Sequence, residues 1–201
     1  MKKYLITIIS IFFILINPVY AKENVKFSKC IDGDTIKVVR NGEKITVRLL
    51  AVDSPEIAKE DKPAEYYANE AAEFTCNKIK NAKKISLEYD KNSDKTDKYD
   101  RVLAWVYVDN ELLQTLLVES GYAKVAYLYD DYKYADTLKE KQVLASTKEL
   151  GIWNSEEAKK YNPNQETNNN SDIDKLENRE IAIIAIIGLF ITLILKLLKK
   201  W

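Results

Sequence analysis

A chain of 201 residues with no histidine and only two cysteines cannot run Ser-His-Asp or Cys-His catalysis, nor hold zinc through imidazole. Its 31 basic and 31 acidic residues cancel formally, yet every acid lies within 22–180, where 26 bases face them for a net of −5. Bulk electrostatics therefore give it no grip on a polyanion, and phosphate chemistry requires a local device such as a bound cation.

In chain order, the sequence opens MKKYLITIISIFFILINPVYA. Lys2 and Lys3, an apolar run over 4–16, a helix-breaking Pro18 and a closing Ala21 describe a secretory signal peptide, 1–21. An uncleaved anchor is the alternative, and the run is short for one. Three strands rich in β-branched residues follow, over 25–31, 35–40 and 44–50. Asn41-Gly42 between the second and third is a strong hairpin signal, because both residues tolerate positive φ. In ITVRLLAV, Ile45, Val47 and Leu49 share one face, while Thr46 and Arg48 share the other.

Residues 63–81 carry Ala68, Ala71, Ala72, Thr75 and Ile79 on one helical stripe. Two further strands are expected over 84–89 and 101–108, separated by a polar loop. A short helix over 111–120 ends at Gly121, and a last helix over 131–150 stops at Gly151. Five strands, with one helix after the third and two after the fifth, predict an α+β fold. It is a five-stranded OB-fold β-barrel with three packed helices, spanning 22–155.

Beyond the domain, 156–180 is polar and Asn-rich, with too little apolar surface to fold, and reads as a disordered tether. No charge interrupts 181–195, IAIIAIIGLFITLIL. A transmembrane helix over 181–198 results if Lys196 snorkels, leaving 199–201 as a short basic tail that suits a cytoplasmic end. The expected protein is exported and anchored in the cell membrane, with its domain extracellular. Cys30 and Cys76 are then a candidate disulfide, two buried free thiols being the alternative.

Two short stretches carry chemistry in combination. IDGDT places Asp32 and Asp34 around Gly33 just before the second strand, and RLLAVDSPE places Asp53, Ser54 and Glu56 just after the third. Each alone is an ordinary polar turn. Antiparallel pairing across Asn41-Gly42 brings Asp34 and Asp53 to one end of the barrel. Two hard oxygen ligands without histidine or thiolate select Ca²⁺ or Mg²⁺. Against 27 lysines the chain has four arginines, and Arg48 and Arg101 flank the acidic turn and the lysine- and tyrosine-bearing loop. Two guanidinium forks, a hard cation and a free carboxylate are the parts for phosphodiester hydrolysis, with Glu56 taking a proton from water.

IDGDT, RLLAVDSPE, NAKKI, TDKYDRVLAWVY and AKVAYLY occur in the order found in the staphylococcal nuclease (thermonuclease) family, which the chain resembles over about 25–155. The resemblance implies an OB-fold, Ca²⁺-dependent nuclease acting on DNA and RNA, with single strands preferred, and leaving 3′-phosphates. It implies metal binding by Asp34, Asp53 and the Ser54 carbonyl, with Asp32 as an acidic neighbour. Glu56 matches the general base, and Arg48 and Arg101 match the catalytic arginines. Lys98 and Tyr99 match nucleotide-phosphate contacts, and Tyr127 and Tyr129 match tyrosines lining the nucleotide site. No protein partner is expected, and the chain is expected to act as a monomer.

Three departures stand out. Ser54 replaces a threonine, Asp100 replaces a glycine before Arg101, and Asp130-Asp131 follow Tyr129 in place of a basic residue and a proline. Asp100 is expected either to orient Arg101 or to compete with phosphate for it. A catalytically silent OB module that binds nucleic acid or a protein partner is the second reading. Retention of Asp34, Arg48, Asp53, Glu56 and Arg101 together favours the enzyme. A structural protein that merely binds Ca²⁺ does not account for the two arginines.

Overall fold

The computed structural model describes residues 22–161. The expected signal peptide, 1–21, the expected transmembrane helix, 181–198, and the expected tether from 162 onward lie outside the described residues. Within 22–161, five main strands close a barrel: β1 (Glu23–Cys30), β2 (Thr35–Arg40), β3 (Glu43–Leu49), β5 (Ile85–Glu88) and β6 (Val102–Val108). They run in the order β3-β2-β1-β5-β6, and β3 meets β6 in parallel through Val47↔Val102 and Leu49↔Ala104. Closure leaves neither β3 nor β6 with a free edge along that seam.

The β2–β3 hairpin turns at Asn41 and Gly42, both at positive φ, with Thr35 opposite Arg48 and Ile36 opposite Val47. Inward side chains Ile36, Val38, Val47, Leu49, Leu87 and Ala104 fill the barrel at 1% exposure or less. Strand β6 reads VLAWVYV without alternation because both of its faces are covered. Trp105 faces away from the barrel and remains fully buried, donating from Nε1 to Asp90 Oδ2 at 2.9 Å against the edge of Tyr134. Strand β7 (Glu111–Leu112) pairs with the end of β6, and β4 (Val52–Asp53) pairs with β8 (Lys124–Val125).

Helix α1 (Ala68–Asn81) starts later than its apolar spacing predicts. Tyr67 takes a left-handed φ of 68°, and reciprocal main-chain hydrogen bonds between Lys59 and Lys62 hold the preceding segment as a loop. Ala68, Ala71, Thr75 and Ile79 are its buried stripe, as expected, while Ala72 is half-buried. Helix α2 (Leu113–Glu119) inserts the fully buried Gln114, whose amide accepts from Val106 N and donates to Ala104 O. The amide thereby serves β6 where no strand reaches it. Helix α3 (Ala135–Thr147) packs on α2. Gly121 and Gly151 meet back to back: a Cβ on Gly151 would lie 2.1 Å from Gly121 O, so both glycines are required where the chain leaves α2 and α3.

Structure continues past the expected domain end. A 3₁₀ turn (Gly151–Trp153) leads into α4 (Ser155–Lys160), and Tyr161 Oη donates to Ala64 O at 3.0 Å. Ring contacts among Tyr66, Tyr67 and Tyr161 supply the apolar anchor that composition alone conceals. Among the described residues no helix is long and apolar enough to cross a membrane.

Cys30 and Cys76 are joined by a disulfide with Cα atoms 5.7 Å apart, tying the end of β1 to the middle of α1 across 46 residues. Chain-entropy arguments put such a cross-link at about 4 kcal/mol. Replacing both cysteines by serine should lower the urea midpoint by an amount equivalent to roughly 2–4 kcal/mol, read by tryptophan fluorescence. An unchanged midpoint would show that the link contributes nothing.

Candidate active site

The acidic loop between β1 and β2 is fixed from both sides. Thr75 Oγ1 on α1 donates to Gly33 O at 2.6 Å, and Leu49 N on β3 donates to Asp34 O at 2.8 Å. Gly33 is packed so closely that a Cβ there would sit 2.6 Å from Ser54 Oγ and 3.0 Å from Ala71 Cβ. Asp32 Oδ1 accepts from Asp34 N, closing a two-residue Asx turn that aims the Asp34 carboxylate at the end of β3.

There it meets Arg48. Arg48 as a whole is only 8% exposed. Its Nη1 donates to the carbonyls of Leu49 at 3.1 Å and Val52 at 2.8 Å. Its Nη2 lies 3.1 Å from Asp34 Oδ2 and 3.2 Å from Asp53 Oδ1. The turn that brings Asp53 back is made by Ala51 at φ 64°, and the β4–β8 pairing, Asp53 opposite Lys124, holds it. Lys124 Nζ reaches Asp53 Oδ2 at 3.2 Å. Tyr127 Oη lies 3.4 Å from Asp53 Oδ1, and its ring centroid lies 5.6 Å from the Arg48 guanidinium carbon.

Burial raises the Asp34 carboxyl to about 7; Arg48 opposes the rise, Asp32 adds to it, and Ser54 N–H and Thr35 Oγ1 oppose it. The Tyr127 hydroxyl is raised first by the Asp53 charge and then by burial. One guanidinium nitrogen thus stands between two carboxylates that need positive charge. Among the described residues no three Asp, Glu, His or Cys side chains converge as a metal cluster. The donor set is a pair of hard carboxylates beside main-chain oxygens, which fits an ion that completes its shell with carbonyls and water. The buried Oγ of Ser54 packs against Gly33 and has no partner among the described residues.

A second group sits on the exposed rim. Glu56 pairs with Lys59 at 2.6 Å, both side chains more than half exposed. Its backbone is pinned by Glu65: Glu65 N donates to Glu56 O, and Glu56 N donates to Glu65 Oε2. Hydrogen bonding to Glu56 raises the Lys59 ammonium, and Asp32 and Arg101 both lie near enough to act on its charge. Arg101 is held by Asp97 rather than by Asp100. Asp97 Oδ2 accepts from Arg101 Nε at 2.7 Å, and Asp97 Oδ1 accepts from Arg101 N and Tyr99 N. Burial works against the Asp97 carboxylate, but these bonds hold its pKa below the ordinary range. Asp100 occupies a left-handed φ of 60°, which explains a glycine as the usual residue there.

Of the residues singled out from the sequence, the structure brings Asp34, Arg48 and Asp53 together with the half-exposed Tyr127 beside them, and sets Glu56, Arg101 and Tyr99 on the adjoining rim. Lys98 Nζ lies 5.0 Å from the Tyr99 ring, and the ring of Tyr129, 82% exposed, lies 6.4 Å from that of Tyr127. Sequence reasoning missed Asp97, Lys59, Glu65 and Lys124. Asp97 had a readable signal, four residues before Arg101 in a turn; Lys124 had none, because only the β4–β8 pairing brings it to Asp53.

A family model described as staphylococcal nuclease homologue matches residues 46–155. The chain is 43% identical over 131 residues to endonuclease YncB of Bacillus subtilis, covering 65% of this chain and 61% of that one. It is 40% identical to the SPbeta prophage-derived endonuclease YokF of the same organism over 65% of this chain and 44% of the relative. It is 34% identical over 134 residues to the thermonuclease of Staphylococcus hyicus, covering 67% of this chain and 78% of that enzyme. The chain thus spans less than two-thirds of either Bacillus endonuclease.

In a divalent-cation-free buffer, the raised Asp34 pKa sets a sign for stability against pH. Native Asp34 keeps a proton that the unfolded chain releases near 3.8, so its contribution is full below that pH and is lost as pH rises through about 7. Urea midpoints from pH 4 to 8 should fall more steeply for the parent than for Asp34→Asn. Parallel curves would remove Asp34 as the source.

Proposed function

Because this chain belongs to the staphylococcal nuclease family, we propose that it is a Ca²⁺-dependent phosphodiesterase that hydrolyses DNA and RNA to 3′-phosphate products. The observation that carries this reading is the convergence of Asp34 and Asp53 on Arg48, beside a rim that bears Glu56 and Arg101.

Asp34, Asp53 and the Ser54 carbonyl are the groups that hold the cation, which when bound neutralises phosphate charge and favours attack by water. Arg48 is anchored through Nη1 by two main-chain carbonyls and through Nη2 by Asp34 and Asp53, so its charge is fixed in place and Nε–H is the donor these bonds leave for a phosphate oxygen. Arg101, clamped by Asp97 through Nε, keeps both Nη groups for the same phosphate or for the leaving oxygen. Glu56 takes the proton of the attacking water; the new O–P bond forms as the P–O5′ bond breaks, leaving the phosphate on the 3′ oxygen. Lys98 serves the nucleotide phosphate, and Tyr99, Tyr127 and Tyr129, all more than half exposed, offer stacking faces that suit single strands. The leader and the apolar C-terminal run support export and anchoring, with the domain at the outer face of the cell membrane.

Incubated with single-stranded DNA and RNA, the protein should cut both in Ca²⁺ and neither in chelator. Glu56→Gln should retain about 1% of the rate or less. Binding without cutting above that variant would instead favour a silent module.

Asp97→Asn should lower kcat by up to about 100-fold, because Arg101 loses its clamp. Asp100→Gly should leave kcat unchanged, since Asp100 makes no bond to the guanidinium. A larger loss from Asp100→Gly than from Asp97→Asn would reverse these assignments.

A further inference from the structure

The outer surface of the β1–β2–β3 sheet carries lysines that the site described above does not use. Register places them in rows. Lys26 of β1 lies opposite Val39 of β2, which lies opposite Lys44 of β3. One row on, Lys29 lies opposite Lys37, which lies opposite Thr46. The next row is Thr35 and Arg48. Paired residues point to the same side of a sheet, and this side is the one opposite Ile36, Val38 and Val47, the barrel core.

A bulge between Phe27 and Lys29 matters here. Three residues apart on a regular strand, Lys26 and Lys29 would face opposite sides; the extra residue turns both outward. All four lysines are exposed, none forms an ion pair among the described residues, and no acidic side chain lies in these rows. Lys29 directly opposite Lys37 is a like-charge cross-strand pair, which works against folding unless an anion offsets it. Elsewhere the exported part is net acidic, so this charge is segregated rather than typical of the surface.

The rows lead to the active site. Lys44, Thr46 and Arg48 follow one another along the same face of β3, about 6.6 Å apart from residue to residue. We infer that this face is a polyanion track: Lys26, Lys29, Lys37 and Lys44 hold the backbone of a nucleic-acid strand outside the active site, along a path that delivers its phosphates to Arg48. The inference rests on the nuclease reading only for the identity of the polymer. It also explains how a domain without bulk positive charge engages an extended polyanion.

The test uses the full chain carrying Lys26→Gln, Lys29→Gln, Lys37→Gln and Lys44→Gln together. Arginine at the same four positions, and glutamine at Lys80, Lys83, Lys148 and Lys160, serve as controls. Binding of a fluorescent 30-nucleotide single strand is followed against salt in a Glu56→Gln background. Cleavage of the 30-mer and of a trinucleotide is followed with Glu56 intact.

The four glutamines should weaken 30-mer binding about tenfold at low salt and flatten the log–log salt slope by up to about 3. They should raise KM for the 30-mer while leaving kcat/KM for the trinucleotide unchanged. The arginine variant should restore the parent values, the control glutamines should have no such effect, and the thermal midpoint should not fall.

Unchanged 30-mer binding and salt slope would overturn the track, as would equal losses on both substrates or an equal loss from the control glutamines. So would a variant that loses binding to vesicles containing phosphatidylglycerol yet keeps 30-mer binding, since the face would then belong to a membrane surface. If the parent cuts neither substrate, the nuclease reading fails, and the binding arm alone decides the track.

Discussion

One guanidinium organises the candidate site. Arg48 is buried, always protonated, and placed where two carboxylates and two carbonyl oxygens converge. Asp34 and Asp53 do not coexist ionised in such a place without positive charge between them, and a buried arginine does not persist without acceptors. Each group is the condition for the others. The arrangement depends on register, because Thr35 stands opposite Arg48 and Leu49 N bonds to Asp34 O. A slip of one residue in the hairpin would send Arg48 into the barrel and Val47 out of it.

The site divides into a rigid floor and an accessible rim. The floor is clamped by α1, through Thr75 on Gly33 O and the Cys30–Cys76 link, and by the β4–β8 pair. The rim consists of the loop that holds Glu56 and Lys59 and the turn that holds Asp97 to Arg101, with most side chains exposed. Ligand-ordering groups gain from preorganisation, while groups that meet substrate need access to solvent. That division is a physical reason for Arg48 to be buried and Glu56 exposed although only seven residues separate them.

Much of this was legible beforehand. The hairpin, the acidic turns and the stripe Ala68, Ala71, Thr75 and Ile79 follow from local pattern, and so did the barrel. Helix starts were less legible: α1 begins at Ala68 because Tyr67 adopts a left-handed φ, which no periodicity announces. The fold also runs on to Tyr161, since its anchor is a cluster of tyrosine rings distant in sequence. Asp100 drew attention as the residue next to Arg101, yet a side chain leaving a left-handed backbone does not reach its neighbour's guanidinium, and Asp97 does.

By itself the sequence determined the chemistry available. Without histidine, with Asp34 and Asp53 brought to one end of a hairpin and with Arg48 and Arg101 beside polar loops, it pointed to hard-cation and guanidinium chemistry, while the pairing of Cys30 with Cys76 stayed open. Tertiary structure decided which charges meet. Lys124 reaches Asp53 through a two-residue sheet, Asp97 takes Arg101, and a bulge after Phe27 turns Lys29 outward beside Lys26. The reason is that side-chain direction on a strand has a period of two, so each of these meetings depends on strand register, which is set by contacts far apart in the chain.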